Sequence, residues 1–291
     1  MTSPGAAAIL ELREISYHYP DGSRGLDQCS ISFERGMRTA LLGLNGAGKT
    51  TLFLQCNGVL RPQSGNVLLD GVALNYSRQG LRSLRTRIGL VFQNPDAQLF
   101  SASVREDVSF GPLNLGLPGD VVRDRVEQSL AAVGMTRYAD RPVHAMSHGQ
   151  KKRVCIAGVL AMAPEVLILD EPMSGLDATM QMELVTVLNQ LHDGGMTIII
   201  ATHDIDFAYQ WADRINVLET GRCVAAWRAT ELPQVMEPLK RLGIGVPKVA
   251  ELHHHLLDAG ILSSVAPPPR SHQQLFEQLS ALTSAAPHIG V

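Results

Sequence analysis

The nine residues from Gly43 to Thr51 constrain this chain more than any other segment. They read Gly-Leu-Asn-Gly-Ala-Gly-Lys-Thr-Thr and contain the spacing Gly-x4-Gly-Lys-Thr of a phosphate-binding loop. The apolar residues 39–42 before them predict a strand, and a segment compatible with a helix begins at Lys49 and fades at Gly58. Strand, glycine-rich loop and helix are the structural context in which this spacing binds phosphate.

Each residue type in the loop has a physical function. Glycine permits positive φ and close approach of the backbone to a ligand. The loop N–H groups therefore form an anion cradle at the positive end of the helix dipole. We expect Lys49 to contact the β- and γ-phosphates and the Thr50 hydroxyl to ligate Mg²⁺. The alternative is an ordinary glycine-rich turn, which the Lys-Thr pair directly after the last glycine disfavours.

Composition limits the class of protein. The 291 residues are enough for one large α/β domain with a small appendage, and 45% apolar residues is normal for a globular protein. The net charge of −3 gives no general attraction for nucleic acid, so no nucleic-acid partner is expected. Four cysteines stand singly in apolar stretches, which predicts reduced, buried thiols in a cytosolic protein. They are Cys29, Cys56, Cys155 and Cys223.

Membrane and export signals are weak in this sequence. No stretch approaches the roughly 18 apolar residues that a membrane helix needs. Residues 1–8 lack the basic and apolar segments of a signal peptide. We therefore expect a soluble, cytoplasmic protein that reaches a membrane only through partners.

Apolar runs bounded by turn residues predict the strands. They cover residues 9–19, 31–33, 39–42, 67–69, 72–74, 88–92, 166–171, 198–201, 215–218 and 223–226. Asp70-Gly71 between two of these runs is a strong hairpin signal. The run 166–171 is apolar until its last two residues, as expected for a central parallel strand buried on both faces.

Apolar positions at helical spacing predict helices elsewhere. After the turn-rich residues 94–118, Asp120 is expected to cap a helix, and another helix is expected over residues 151–162. Asp177 is expected to cap the next helix. Beyond residue 230, three short helices are predicted at residues 234–242, 249–257 and 273–282. Because about 60 residues form a marginal core alone, this appendage should pack on the main domain or on a second copy.

Polar residues follow three of the predicted strands, where ligands of open parallel sheets bind. Asp170 is placed as a Mg²⁺-associated carboxylate, and Glu171 beside it as the group that orients and deprotonates water. His203 is expected to hydrogen-bond the γ-phosphate or the water. Gln93 is included because it also follows a predicted strand. Tyr19 ends the first strand, where its ring would either stack on a purine or pack as a half-buried edge residue.

These segments together resemble the ATP-binding subunits of ABC transporters. Residues 43–51 match the Walker A loop, Gln93 the Q-loop, residues 147–150 the signature motif, 166–171 the Walker B strand, 174–177 the D-loop and His203 the switch histidine. The resemblance covers about residues 9–228. It favours adenine stacking for Tyr19.

The resemblance implies a fold and a set of site residues. The implied fold is α/β, a P-loop NTPase (RecA-like) core with an N-terminal antiparallel β subdomain, a helical subdomain at about residues 94–162, and a small helical extension at 229–291 that is a candidate for dimerisation. The implied catalytic residues are Glu171, His203 and Gln93. The implied Mg²⁺ ligands are Thr50, Gln93 and Asp170. The implied ATP-binding residues are Tyr19, Asn45, Gly46, Ala47, Gly48, Lys49, Thr50, Thr51, Ser147, Gly149, Gln150 and Asp177.

A narrower resemblance is to the ATPases of energy-coupling-factor importers, which also carry a C-terminal extension. Residues 92–100 and 108–112 carry it, and residues 147–153 are similar to the cobalt/nickel branch. The implied function is ATP hydrolysis that powers import of cobalt. A nickel importer and a vitamin importer are the alternatives.

The resemblance also implies partners. A second ATP-binding subunit, in a homodimer, would complete each nucleotide site with its signature motif. A transmembrane coupling subunit would contact residues 93–117, and a substrate-binding membrane subunit would hold the cargo, which places the protein on the cytoplasmic face of the membrane. The apolar side chains of this segment would be either local core or a groove for partner helices. They are Phe100, Val104, Phe110, Leu113 and Leu115.

His148 departs from the family pattern, which has glycine at this position. Because that position contributes no hydroxyl, we expect hydrolysis to be retained. The alternative is a nucleotide-gated scaffold without hydrolysis. Soluble ABC ATPases of translation or repair are disfavoured, because the chain has one nucleotide domain and no coiled-coil insertion. The run His253-His254-His255 is not expected to bind metal, since consecutive helical side chains point about 100° apart.

Overall fold

A computed structural model describes residues 7–263 and 267–285 of the chain. Within these residues the strands form two sheets. The antiparallel sheet has the order β2-β1-β4-β5 and contains β1 (Ala8–His18), β2 (Arg24–Glu34), β4 (Ser64–Leu69) and β5 (Val72–Ala73). The core sheet has the order β10-β9-β3-β8-β7-β6 and contains β3 (Arg38–Leu42), β6 (Ile88–Val91), β7 (Val166–Asp170), β8 (Thr197–Thr202), β9 (Arg214–Glu219) and β10 (Arg222–Arg228).

The core sheet is parallel except for β10, which pairs antiparallel with β9. Every residue of β6, β7 and β8 is buried, because helices cover both faces of the sheet. Burial on both faces explains why the sequence is apolar almost without interruption in these strands. The fold class predicted from sequence is confirmed, with a parallel core next to an antiparallel sheet.

Ten α-helices lie within the described residues. They are α1 (Lys49–Cys56), α2 (Arg78–Arg87), α3 (Val104–Asn114), α4 (Gly119–Ala132), α5 (His148–Leu160), α6 (Ala178–Asp193), α7 (Ile205–Trp211), α8 (Met236–Arg241), α9 (Lys248–Asp258) and α10 (His272–Ala285). Helices α3, α4 and α5 pack on one another and form the helical part of the molecule. None of the helices in the described part of the chain has the length and apolar character needed to cross a membrane.

The hairpin predicted at Asp70-Gly71 is confirmed. Leu69 pairs with Val72 across the turn, and Asp70 and Gly71 have φ of 51° and 74°. Two positive φ values are the mark of the tight hairpin turn that Asp-Gly favours.

Several helix predictions need correction. Helix α2 was not predicted because it is polar, and of its residues only Leu84 is buried. Helix α3 lies in the segment predicted to be turn-rich. Asp120 does not cap α4, which begins at Gly119 and has Pro118 as its N-cap residue without a side-chain bond. Helix α5 begins at His148, three residues before its predicted start, because the capping group lies upstream of Lys151.

The C-terminal segment packs on the core sheet domain. Leu232, Leu239 and Val249 are buried in the same cluster as the residues of β8 and β9. Arg270 donates from Nε and Nη2 to the carbonyl oxygen of Tyr209 at 2.9 and 2.7 Å, near the end of α7. Of the two places predicted for the appendage, the described residues show contact with the main domain of the same chain.

A four-residue ion-pair network joins the two sheets at the end opposite the phosphate loop. Glu165, just before β7, accepts from Arg35 at 2.9 Å and from Arg87 at 3.0 Å. Asp70 on the β4–β5 hairpin accepts from the same two arginines. The bond from Arg87, then that from Arg35, lowers the pKa of Glu165 to about 2 despite partial burial.

We expect E165Q to lower the free energy of unfolding by about 1 kcal/mol, because the network is partly exposed. This corresponds to a fall in Tm of about 2–4 °C. A carboxyl whose folded pKa is depressed stabilises the fold above its unfolded pKa and loses that effect as pH falls to the folded value. The difference in Tm between the two proteins should therefore be full at pH 6 and shrink from pH 4.5, the ordinary pKa of Glu165, toward about 2. Thermal unfolding across this range measures it, and equal Tm values at pH 6 would show that the network contributes nothing.

Candidate nucleotide-binding site

The phosphate loop connects β3 to α1 and has a conformation that requires glycine. Gly46 and Gly48 have φ of 81° and 104°. A Cβ on Gly48 would lie 2.5 Å from the carbonyl oxygen of Gly25, and one on Gly43 would lie 2.5 Å from that of Leu218. The loop is therefore held tightly between β2 and the end of β9, with the N-terminus of α1 at its open side. Such a helix start attracts anions.

Lys49 is the first residue of α1 and is 7% exposed. Its Nζ donates to the carbonyl oxygen of Gly43 at 2.6 Å and lies 3.5 Å from Oε1 of Glu171. The ammonium group is thus inside the loop, between the loop backbone and a carboxylate. A phosphate that enters the loop meets a positive charge that is already held in place.

Thr50 in the first turn of α1 and Asp170 at the end of β7 are in direct contact. The Thr50 hydroxyl donates to Oδ2 of Asp170 at 2.6 Å. Burial raises the pKa of Asp170, and the bond from Thr50 acts in the opposite direction. A hydroxyl and a carboxylate are hard oxygen ligands of the type that Mg²⁺ takes beside phosphates, so the pair fits this ion.

Glu171 has an unusual backbone conformation and a buried carboxylate. Its φ is 45°, in the left-handed region, and its N–H donates to the carbonyl oxygen of Ala201 at 3.0 Å. Oε2 lies 3.0 Å from Nδ1 of His203, while the buried Oε1 has no hydrogen-bond partner within the described residues. This carboxylate has one oxygen beside His203 and the other 3.5 Å from the Lys49 ammonium, so it is held in place to accept a proton from a bound water.

These groups line one cavity of about 480 Å³, a size typical of sites for small ligands. Its lining comprises Tyr19, Arg24, Gly25, Leu44, Asn45, Gly46, Ala47, Gly48, Lys49, Thr50, Thr51, Gln93, Asp170, Glu171, Ser174 and His203. The exposed side chain of Gln93 lies at its edge. The hydroxyl of Tyr19 is 2.8 Å from that of Thr51, and its ring meets the ring of Tyr17 edge-on at 5.2 Å.

Four predicted site residues do not line this cavity. Ser147 and Gln150 form the capping box of α5, since the Ser147 hydroxyl accepts from the N–H of Gln150 and the Gln150 side chain accepts from the N–H of Ser147. Gly149 is buried in the first turn of α5. Asp177 caps α6, as predicted, by accepting from the N–H of Met180 at 2.8 Å. Within one chain, these four residues therefore lie outside the cavity that the phosphate loop forms.

Sequence reasoning gave no individual site role to three polar residues close to the site, although Ser174 belongs to the D-loop match. Arg24 and Ser174 line the cavity. Lys152 is buried behind the site, where its Nζ donates to the carbonyl oxygens of Pro172 and Ser174. A basic residue on the apolar face of a helix is the signal that identifies Lys152, because Gly149 and Cys155 at helical spacing are also buried.

Comparison with known proteins agrees with the site described above. A family model described as ABC transporter matches residues 26–174. The energy-coupling factor transporter ATP-binding protein EcfA of Methanothermobacter thermautotrophicus is 46% identical over 252 residues, which cover 87% of this chain and 81% of that protein. The cobalt import ATP-binding protein CbiO of Rhodobacter capsulatus is 44% identical over 275 residues, 94% of this chain and 98% of that protein.

A solved structure agrees with these relatives. CbiO1 from Clostridium perfringens, described as part of the ABC transporter complex CbiONQ, is 44% identical and superimposes with a TM-score of 0.73. The superposition covers 85% of this chain and 99% of that one. With the phosphate loop, the buried carboxylates and the two-sheet fold, these matches show that the chain belongs to the ATP-binding ATPase subunits of ABC transporters.

Proposed function

We propose that this protein is the ATP-hydrolysing subunit of an energy-coupling-factor importer whose cargo is cobalt, Co²⁺. The convergence of Lys49, Asp170 and Glu171 on one cavity supports ATP hydrolysis. The cargo is supported by the similarity to a cobalt import protein over 94% of the chain, which includes the C-terminal segment. Import of nickel or of a vitamin is the competing assignment for the cargo.

The phosphate loop holds the triphosphate in this proposal. The N–H groups of residues 45–51 and the ammonium of Lys49 face the β- and γ-phosphates, and the ring of Tyr19 stacks on the adenine. Thr50, Asp170 and Gln93 would hold Mg²⁺, which would neutralise charge on the phosphate oxygens. The bond between Thr50 and Asp170 keeps these two oxygen ligands together before the nucleotide binds.

Glu171 is the base that takes the proton of the attacking water. His203 holds Oε2 of Glu171 and orients the carboxylate toward the γ-phosphate side of the cavity. A well-placed base contributes about 10²–10⁴-fold to the rate.

Two copies of the chain complete the nucleotide sites. Ser147, Gly149, Gln150 and Asp177 lie outside the cavity of their own chain, and in a head-to-tail dimer they reach the nucleotide of the other. The N-terminus of α5 then meets the γ-phosphate from the side opposite Lys49. ATP joins the two copies, and its cleavage releases them.

The membrane partners contact a groove beside the Q-loop. The rings of Phe100 and Phe110 meet edge-on at 4.6 Å and are 65% and 47% exposed, while Val104 at the start of α3 is fully buried. The groove has a volume of about 530 Å³ and is also lined by Phe92 and Met162. The groove is mainly apolar, with Arg85 and Asp107 among its polar lining residues, and such a groove accepts an amphipathic helix. We assign it to the transmembrane coupling subunit, which holds the protein at the cytoplasmic face of the membrane.

We expect F110D to abolish co-purification with the coupling and substrate-binding membrane subunits, because a charge in the groove prevents an apolar helix from docking. The matched control is V72D, since Val72 is 70% exposed on a hairpin away from the groove. Uptake of labelled Co²⁺ by the whole complex then tests the cargo. Uptake of Ni²⁺ or of a vitamin without Co²⁺ would contradict the cobalt assignment, and co-purification of F110D at the level of V72D would contradict the groove.

A further inference from the structure

Lys152 is a buried cation, and the proposed mechanism of hydrolysis assigns it no role. It lies in α5, is 3% exposed, and its Nζ donates to three backbone carbonyl oxygens. These belong to Glu171 at 3.3 Å, Pro172 at 2.8 Å and Ser174 at 2.6 Å. An ammonium group has three N–H donors, and here each has an acceptor. Burying an ion costs several kcal/mol unless it is well bonded, so the position needs a specific reason.

The carbonyls that Lys152 binds belong to the segment that carries the proposed base. A non-glycine residue in the left-handed region costs about 1–2 kcal/mol, so the conformation of Glu171 must be held by its surroundings. Its N–H is bonded to Ala201 on one side, and its carbonyl to Lys152 on the other. These two bonds hold both peptide groups that flank Glu171, and with them the direction of its side chain.

The first turn of the same helix carries the signature residues, and it packs against the start of α6 and against the segment between β7 and α6. A Cβ on Gly149 would lie 2.7 Å from Sδ of Met180, and a Cβ on Gly175 would lie 3.3 Å from Nε2 of His148. The start of α5 is thus packed tightly against the segment between β7 and α6. Lys152 thus joins α5 to the backbone of Glu171 by a hydrogen bond.

We propose that Lys152 is a positioning residue for ATP hydrolysis, which holds the backbone at Glu171 and couples the helix that carries Ser147 to the carboxylate that activates water. This inference rests on the proposed function, in which Ser147 meets the nucleotide of the partner copy. Each Lys152 therefore links the γ-phosphate contact in one site to the base of the other.

The test is steady-state ATPase kinetics of the full-length protein and of three variants. K152M removes the donors at similar volume, and we expect kcat to fall about 10–100-fold, because a small displacement of a catalytic group has an effect of this size. KM for ATP stays unchanged, since the loop is not altered. K152R keeps the charge and the donors and recovers most of the lost kcat. The matched control is K151M, which only removes a surface bond from Lys151 to Asp96 of 2.6 Å and keeps kcat.

The pH profile separates positioning from a purely structural effect. Burial lowers the pKa of Lys152 to about 8, against the negative charge of Glu171, which acts to raise it. In the unmodified protein kcat should fall above this pH, because a neutral amine has one donor fewer. The arginine of K152R stays charged, so this alkaline fall should disappear. A purely structural role would change Tm in K152M and leave the shape of the profile alone.

Unchanged kcat in K152M, or a raised KM at unchanged kcat, overturns the inference while leaving the proposed function in place. If K152M does not fold, an alkaline fall in K152R identical to that of the unmodified protein overturns it. If the unmodified protein does not hydrolyse ATP, the proposed function and the inference fall together.

Discussion

Replacement of Glu171 by glutamine is expected to slow ATP hydrolysis about 10²–10⁴-fold, because the amide cannot accept the proton of the water. Glutamine has nearly the same size, and its side chain can still bond His203, which lies 3.0 Å from Oε2. Nucleotide binding should therefore persist. With cleavage blocked, ATP should hold two copies of E171Q together. Phosphate release measures turnover, and light scattering during gel filtration with ATP measures the dimer.

The matched control for this variant is E183Q. Glu183 lies on α6 and pairs with Arg153 at 2.7 Å on the surface, so its loss leaves turnover unchanged. Undiminished hydrolysis by E171Q would show that another group is the base. A monomer at saturating ATP would contradict the shared site. Turnover by the unmodified protein also decides against the scaffold alternative that His148 raises.

The second large effect is expected at Lys49. K49M should weaken ATP binding about 10–100-fold, the effect of losing one hydrogen bond to a charged group in a buried place. Hydrolysis should fall further, because the same ammonium stabilises charge on the γ-phosphate as it is transferred. Titration with a fluorescent ATP analogue gives the affinity, and phosphate release at saturating ATP gives the rate.

K240M is the corresponding control, since the Lys240 side chain is 55% exposed and its Nζ lies 3.8 Å from Glu251. It should bind and hydrolyse ATP like the unmodified protein. Equal affinity of K49M and K240M would show that the triphosphate does not enter the loop, and the proposed site would be wrong.

Several elements were predictable because their signals are local. The loop of residues 43–51, the hairpin at Asp70-Gly71 and the buried strand β7 each follow from a few adjacent residues. The caps are also local. The Ser103 and Glu106 capping box marks the start of α3, and the turn-rich composition of the following residues obscured it.

Other elements depend on distant parts of the chain. Helix α2 has few apolar residues, and its place is decided by the contact of Leu84 with the core and by Arg85, which bonds the carbonyl oxygen of Gly58 at 3.2 Å. The predicted burial of the cysteines is confirmed for Cys29, Cys56 and Cys155, while Cys223 on the edge strand β10 is only half-buried.

The sequence by itself determined the phosphate loop, the order of the motifs and the alternation of strands and helices, because glycine spacing and apolar period are properties of neighbouring residues. Only the tertiary structure decided which groups meet. Thr50 and Asp170 are 120 positions apart, and Glu171 and His203 are 32 apart. Lys152 reaches the backbone of Glu171 from a different helix. The strand-end pattern predicted that these site residues lie near one another, but which atoms bond follows from the parallel order of the strands and the packing of α5.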